Sequence, residues 1–167
     1  MIGVTGIWVA GSLLLIGGIV SNINLSNKPE REMKKQTECL AKNMYFEVRN
    51  QGTAGMLAVS SVVINRVNDD RFPNTICKVV NQGGSKKLNK CQFSWHCDGV
   101  SDIPKNKKIY KKNLDFARKI MDNSKQWIDI TDGATFYHAN YVRPSWRKKF
   151  IRTTEIDKHI FYRWNKK

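Results

Sequence analysis

The chain has 167 residues, 41% of them hydrophobic and 10% aromatic, and carries a formal net charge of +15. That composition favours a globular chain over a disordered one, and the roughly 140 residues beyond the first stretch suffice for one domain with a single core. So basic a surface repels polycations and favours a polyanion, whether nucleic acid, an anionic membrane, or a bacterial wall with its peptide carboxylates and teichoic acids.

Residues 1–27 hold no charged side chain, and Ile7 to Val20 is mostly apolar with Gly and Ala interspersed. About 20 such residues cross a bilayer as a helix. A cleaved signal peptide would show a basic start and a small-x-small cleavage site, and neither is clear. Residues 1–27 therefore read as a transmembrane-type anchor or uncleaved signal-anchor, placing the rest of the chain toward the periplasm or wall, or releasing it. Lys28, Arg31, Lys34 and Lys35 follow the span, and the positive-inside rule would keep that flank cytoplasmic, so the topology stays open.

Residues 28–36 read as a charged linker and 37–167 as the folded domain. Glu38 to Asn50 has helical spacing: at about 100° per residue, Leu40, Ala41, Met44, Tyr45 and Val48 share one apolar arc, with Glu47 at its rim. A carboxyl at such a rim is partly desolvated and can hold a proton near neutral pH, as a general acid must. The same pattern also reads as a flank residue paired with Arg49, Arg66 or a nearby Lys. Gly52 reads as the stop of this helix.

Ala54 to Asn68 is a second helix, with Met56, Val59, Val63 and Val67 on one stripe, although its β-branched content would also suit a strand. Phe72-Pro73 opens a short helix through Val80. Gln82 to Asp102 is loop-like, and a helix of about Lys107 to Asn123 turns Tyr110, Leu114, Ala117, Ile120 and Met121 inward. After the Asp132-Gly133 turn signal, Thr135 to Ala139, Phe150 to Thr154 and His159 to Arg163 read as strands of a small antiparallel sheet. The fold class is α+β, helices first and strands last.

Cys39, Cys77, Cys91 and Cys97 form an even set, and disulfides among them have three possible connectivities. A metal site near Cys91, His96, Cys97 and Asp98 lacks C-x-x-C spacing and a second ligand pair, so no metal or other cofactor is expected.

Five blocks in order, YFEVRNQG (Tyr45 to Gly52), FPNTICKVV (Phe72 to Val80), CQFSW (Cys91 to Trp95), GATFYHANYVRPSW (Gly133 to Trp146) and HIFYR (His159 to Arg163), resemble the SleB/CwlJ-type cell wall hydrolase family, named for spore-cortex-lytic enzymes. The resemblance runs from about Glu38 to Trp164. It implies a lysozyme-like helical core with a small antiparallel sheet, and a peptidoglycan-cleaving activity of the lytic transglycosylase kind. In that chemistry one Glu, here Glu47, acts as acid and then as base on the sugar's own C6 hydroxyl, leaving an anhydromuramic end. A plain muramidase would want a second carboxylate, for which Asp98, Asp102, Asp132, Glu155 and Asp157 are candidates by type. An amide-cleaving wall hydrolase is a further alternative.

The same resemblance places a sugar cleft at Gln92, Phe93, Ser94 and Trp95, with Tyr137, His138 and Tyr141 completing it beside Trp146. Phe93 and Trp95 also read as core residues, His138 as a structural histidine, Arg143 as fixing a loop and His159 as packing. The lysine clusters at Lys86-Lys87, Lys105 to Lys112 and Arg147 to Lys149 read as a solvated surface or a wall-binding face. Peptidoglycan strands, and a membrane through the N-terminal segment, are the expected partners of a monomer. A non-catalytic, membrane-tethered basic protein binding nucleic acid or anionic lipid is the alternative of another class, although no nucleic-acid motif is visible.

Overall fold

The computed structural model describes residues 27–49, 51–83, 91–123 and 128–165. The chain divides into two compact units, 1–33 and 34–167. The expected anchor, residues 1–27, lies outside the described residues except for Asn27. No helix among the described residues is long and apolar enough to cross a membrane.

Among the described residues four helices come first: α1 (Lys28–Val48), α2 (Thr53–Val67), α3 (Ile76–Val80) and, after a short 3-10 turn at Ser94–Cys97, α4 (Lys107–Asp122). The stretch expected as a charged linker is helical from Lys28, because Glu, Lys, Arg, Met and Gln are strong helix formers and Pro29 sits in the first turn, where a missing N–H is harmless. Gly52 does not stop α1, which ends at Val48; it caps α2 in extended conformation. Pro73 lies ahead of α3 and not in its first turn: the cap is Thr75, whose hydroxyl accepts from the Lys78 amide at 3.3 Å.

α2 is the central helix. Its Met56, Val59 and Val63 join Leu40, Met44 and Val48 of α1, Val79 and Val80 of α3, and Ala117 and Ile120 of α4 in the main core. Its other side, Ala58 and Val62, packs on Ala134 and Phe161 of the sheet region. A helix buried on both sides must be apolar nearly all round, and this burial overrides the strand preference of its valines.

The sheet follows in the order β1 (Phe136–Ala139), β3 (His159–Arg163), β2 (Ile151–Ile156), antiparallel throughout. A two-residue turn at Asp157-Lys158 joins β2 to β3, with Asp157 at φ 51°. Asp132 (φ 54°) and Gly133 (φ 72°) make the turn before β1. It is tied down by Asp129, which accepts from the Gly133 and Thr131 amides at 2.6 and 2.8 Å and from Asn65 of α2 at 3.0 Å. Disulfides join Cys39 to Cys77, clamping α1 to α3, and Cys91 to Cys97, closing the loop that carries the 3-10 turn.

Candidate active site

Strand alternation sends successive residues of β1 to opposite sheet faces. Tyr137, paired in register with Phe161, faces the helices, and there its hydroxyl donates to Glu47 Oε2 at 2.8 Å. Glu47 is carried by the last turn of α1 and is partly buried, at the rim where the helical spacing puts it. Oε1 has no protein hydrogen bond among the described residues.

Behind this pair lies Arg66 of α2, only 4% exposed. Its Nε donates to the Thr135 carbonyl at 2.7 Å, and the guanidinium sits 5.2 Å from the ring centres of both Phe72 and Phe93. Nη1 has no partner among the described residues. Among the described residues this cation is held without a contacting carboxylate, by aromatic faces and one carbonyl.

The electrostatics follow from that enclosure. Burial pushes the Glu47 carboxyl above its ordinary value, and the Tyr137 hydrogen bond and the Arg66 charge pull it only partly back. Burial, with the neighbouring Glu47, holds the Tyr137 phenol well above its ordinary range, so it stays a donor. Burial lowers Arg66, opposed by Tyr137 and Glu47. His159 lies edge-on to the Tyr137 ring at 5.1 Å, is buried, and has no partner for Nδ1 among the described residues. Burial lowers its pKa, against the pull of Asp157.

Glu47 opens into a cleft of about 580 Å³ lined by Phe46, Arg49, Gln51, Gly52, Asp157 and Lys158. A second groove of about 400 Å³ shares Phe46 and Arg49 with it and is walled by Ser94, Trp95, Asp98 and Val100. A larger cleft of about 680 Å³ lies by Asp69, Arg71, Asp132 and Arg163, but those charges are paired with one another, Arg71 to Asp69 at 2.5 Å and Arg163 to Asp132 at 3.3 Å. Glu47 does not reach it.

Of the residues singled out from sequence, Glu47 and Tyr137 meet directly, and Ser94 and Trp95 line the adjoining groove. Trp95 is mostly core: it is 7% exposed, stacks on Phe46 at 4.7 Å and donates from Nε1 to Asn43 at 3.2 Å. Phe93 is buried between Arg66 and Tyr137. Gln92 is exposed and Tyr141 is 79% exposed; neither lines the Glu47 cleft. His138 is on the opposite sheet face, stacked on Tyr162, with Nε2 3.0 Å from the Tyr162 hydroxyl and Nδ1 2.9 Å from the Ala139 carbonyl. Arg143 holds its own loop through the Asn140 and Val142 carbonyls.

Among the acidic candidates, Asp102 holds His96, Asp132 holds Arg163, Glu155 holds Arg152, and Asp98 accepts from the Val100 amide. Asp157 lines the Glu47 cleft. Its Oδ2 is seated so close to Gly55 that a Cβ there would lie 2.6 Å away. Among the described residues no cluster of three His, Cys, Asp or Glu could hold a metal ion.

Arg66 was legible only as a possible partner of Glu47. The signal for more is its position, three residues after Val63 and seven after Val59, which puts a charge on the inward stripe of α2. His159 carried no comparable signal.

Residues 50–162 match the sequence profile of a family described as Cell Wall Hydrolase. The match begins past Glu47, so the placement of that residue rests on the geometry above. Among curated proteins the chain is similar to the spore cortex-lytic enzymes of Halalkalibacterium halodurans (25% identical, 81% of this chain, 37% of that protein) and Bacillus subtilis (23%, 81% and 40%). It thus spans less than half the length of these relatives. Among solved structures it is similar to the catalytic domain of Bacillus cereus SleB (TM-score 0.55, 26% identical, 77% of this chain and 89% of that one). It is also similar to the catalytic domain of a germination-specific lytic transglycosylase, SleB from Bacillus anthracis (TM-score 0.57, 26% identical, 77% and 93%).

Proposed function

The chain belongs to the cell wall hydrolase family, and we propose that it is a lytic transglycosylase cutting the bond between N-acetylmuramic acid and N-acetylglucosamine on a lysozyme-like core, with Glu47 as acid and then base. The observation that carries this reading is the buried Tyr137–Glu47 hydrogen bond at the edge of a cleft, backed by a buried Arg66. Burial raises the Glu47 pKa above its ordinary value, which favours the protonated form an acid needs. Tyr137 fixes Oε2, so Oε1 is the oxygen available to protonate the leaving O4 of the glucosamine. The glycosidic bond breaks with its electron pair on that oxygen, leaving an oxocarbenium-like muramic centre and a Glu47 carboxylate. Arg66 offsets the carboxylate charge at this stage. Glu47 then takes the proton of the same sugar's C6 hydroxyl as O6 closes on C1, and it ends reprotonated.

The groove at Ser94 and Trp95 continues the cleft through Phe46 and Arg49, and it supports a glycan strand lying across both. Gln92, Tyr141 and His138, none of which lines either groove, are then support or outer contacts rather than groups at the scissile bond. The N-terminal residues 1–27 would tether a domain that works on the wall side of a membrane.

A second reading rests on Asp157, the acidic neighbour of Glu47 in its cleft: a carboxylate there could activate water and make the enzyme a muramidase. Mass spectrometry of peptidoglycan digested with the full chain, with Glu47→Gln as control, separates the two. Anhydromuramic ends that vanish in the variant support the transglycosylase. Reducing muramic ends support the hydrolase, and soluble fragments from neither protein overturn both.

A further inference from the structure

The strongest feature outside the Glu47 cleft is a concave strip on α4. A groove of about 520 Å³ lies between α4 and the start of α2, rimmed by Lys108, Lys111, Lys112 and Lys119 and floored by Met56 and Phe116. Its acid, Asp115, is already engaged by Lys111 and Arg118, each at 2.8 Å. Lys108, Lys112 and Lys119 are exposed and have no ion-pair partner among the described residues. They sit at helical spacing on a helix whose opposite side, Ala117 and Ile120, is anchored in the core, so the three ammonium groups stand on a rigid support.

The groove also has an address. Gly52 lines the Glu47 cleft and Thr53, its chain neighbour, lines the lysine groove, so the two adjoin across the start of α2. We propose that this groove is a subsite for the carboxylates of the short peptides that peptidoglycan carries on its muramic residues, so that the enzyme favours peptide-bearing strands over bare glycan. This rests on the peptidoglycan reading of the Glu47 cleft. Peptides branch from muramic residues along the strand, and a strand held at Glu47 brings such a branch to the adjoining groove. The apolar floor suits the methyl groups of alanine-rich peptides, and the lysine rim suits carboxylates as point charges. A bare phosphodiester polymer has no use for the floor.

The test uses full-length Glu47→Gln protein, which binds without cutting, sedimented with teichoic-acid-free peptidoglycan either intact or stripped of its peptides by an amidase. In that background, Lys108→Gln/Lys112→Gln/Lys119→Gln is compared with Lys34→Gln/Lys35→Gln/Lys78→Gln, an equal charge change on exposed lysines outside the three clusters. The groove variant should lose about tenfold in affinity for intact strands at low salt, as three weak ion pairs predict. Its binding to stripped strands, and both affinities of the control, should hold. Equal losses in the two triples would reduce the effect to net charge and overturn the subsite. So would a loss seen only when teichoic acid is left in place, which would assign the groove to a phosphodiester polymer. Because the readout is binding, failure of the cleavage chemistry would appear separately, in the digestion experiment.

Discussion

Tyr137 and His138 are consecutive on β1, yet they enter opposite chemical worlds. His138 looks away from the helices into an aromatic layer of Tyr162, Trp146 and Phe136, with both ring nitrogens within hydrogen-bond distance of a protein oxygen. Tyr137 looks toward α1 and α2, where polar groups are left short: Arg66 Nη1, His159 Nδ1 and Gln51 Oε1 lack partners among the described residues. Glu47 and Tyr137 are there pushed off their ordinary pKa values by burial. A satisfied polar face holds a fold together, whereas an under-satisfied one, opening to a cleft, is held ready for a ligand or a proton. The teaching is that adjacency in sequence, which made Tyr137-His138 read as one motif, says little when strand alternation divides the pair.

The largest effect that could break this contrast is on Glu47. Glu47→Gln should lower wall-cleaving activity by roughly 10²- to 10⁴-fold, the usual weight of a general acid. The same substitution should also stabilise the protein in a pH-dependent way. The carboxyl's folded pKa is raised above its ordinary 4.5, so the stability it contributes is fully present below that value and is lost as pH rises through the folded value. The melting temperatures of variant and parent should therefore coincide near about pH 4 and separate, variant higher, toward neutrality. A gap that ignores pH would mean the carboxyl is not desolvated as described.

Tyr137→Phe sharpens the same side of the comparison. Loss of one hydrogen bond to an ionisable group should reduce turnover by about tenfold. Because that bond holds the Glu47 pKa down, its removal should move the alkaline fall of the pH–rate profile upward. An unmoved limb with lower turnover would assign Tyr137 to substrate contact alone. His138→Phe reports on the other face. It leaves the Tyr162 hydroxyl without its partner and should cost about 1–3 kcal/mol in unfolding free energy, with the pH profile of the remaining activity unchanged. A shifted profile would show that the two faces communicate.

How far the sequence foretold this depended on the kind of signal each residue gave. Helix spacing placed α2 and α4 to within a residue, and it put Glu47 at the edge of the apolar arc, where it is found. The strands were legible because turn residues and short apolar runs bracket them. Residues 28–36 read as a linker because charge was weighed above helix propensity, and propensity governs this stretch. Arg66 and Asp157 came to the site through tertiary packing: one sits on the central helix, the other in a hairpin turn over a hundred residues after Glu47. No local period encodes that meeting.

Asp157 provides the finest test. Its Oδ2 is seated over Gly55, where any Cβ would come within 2.6 Å, so the hairpin turn is held against the start of α2 by the absence of a side chain. If Glu47 works by itself, Asp157→Asn should change activity by less than about threefold, a rim charge's effect, and leave anhydromuramic ends intact. Gly55→Ala should have a similar effect, since the two closest atoms are the ends of the Asp157 and Gln51 side chains and can swing aside, and the Gln51 Cβ at 3.1 Å needs only a small shift. If instead both substitutions abolish cleavage while Tyr137→Phe is mild, the catalytic pair is Glu47 with Asp157. The under-satisfied face would then owe its chemistry to the turn at its edge rather than to the tyrosine at its centre.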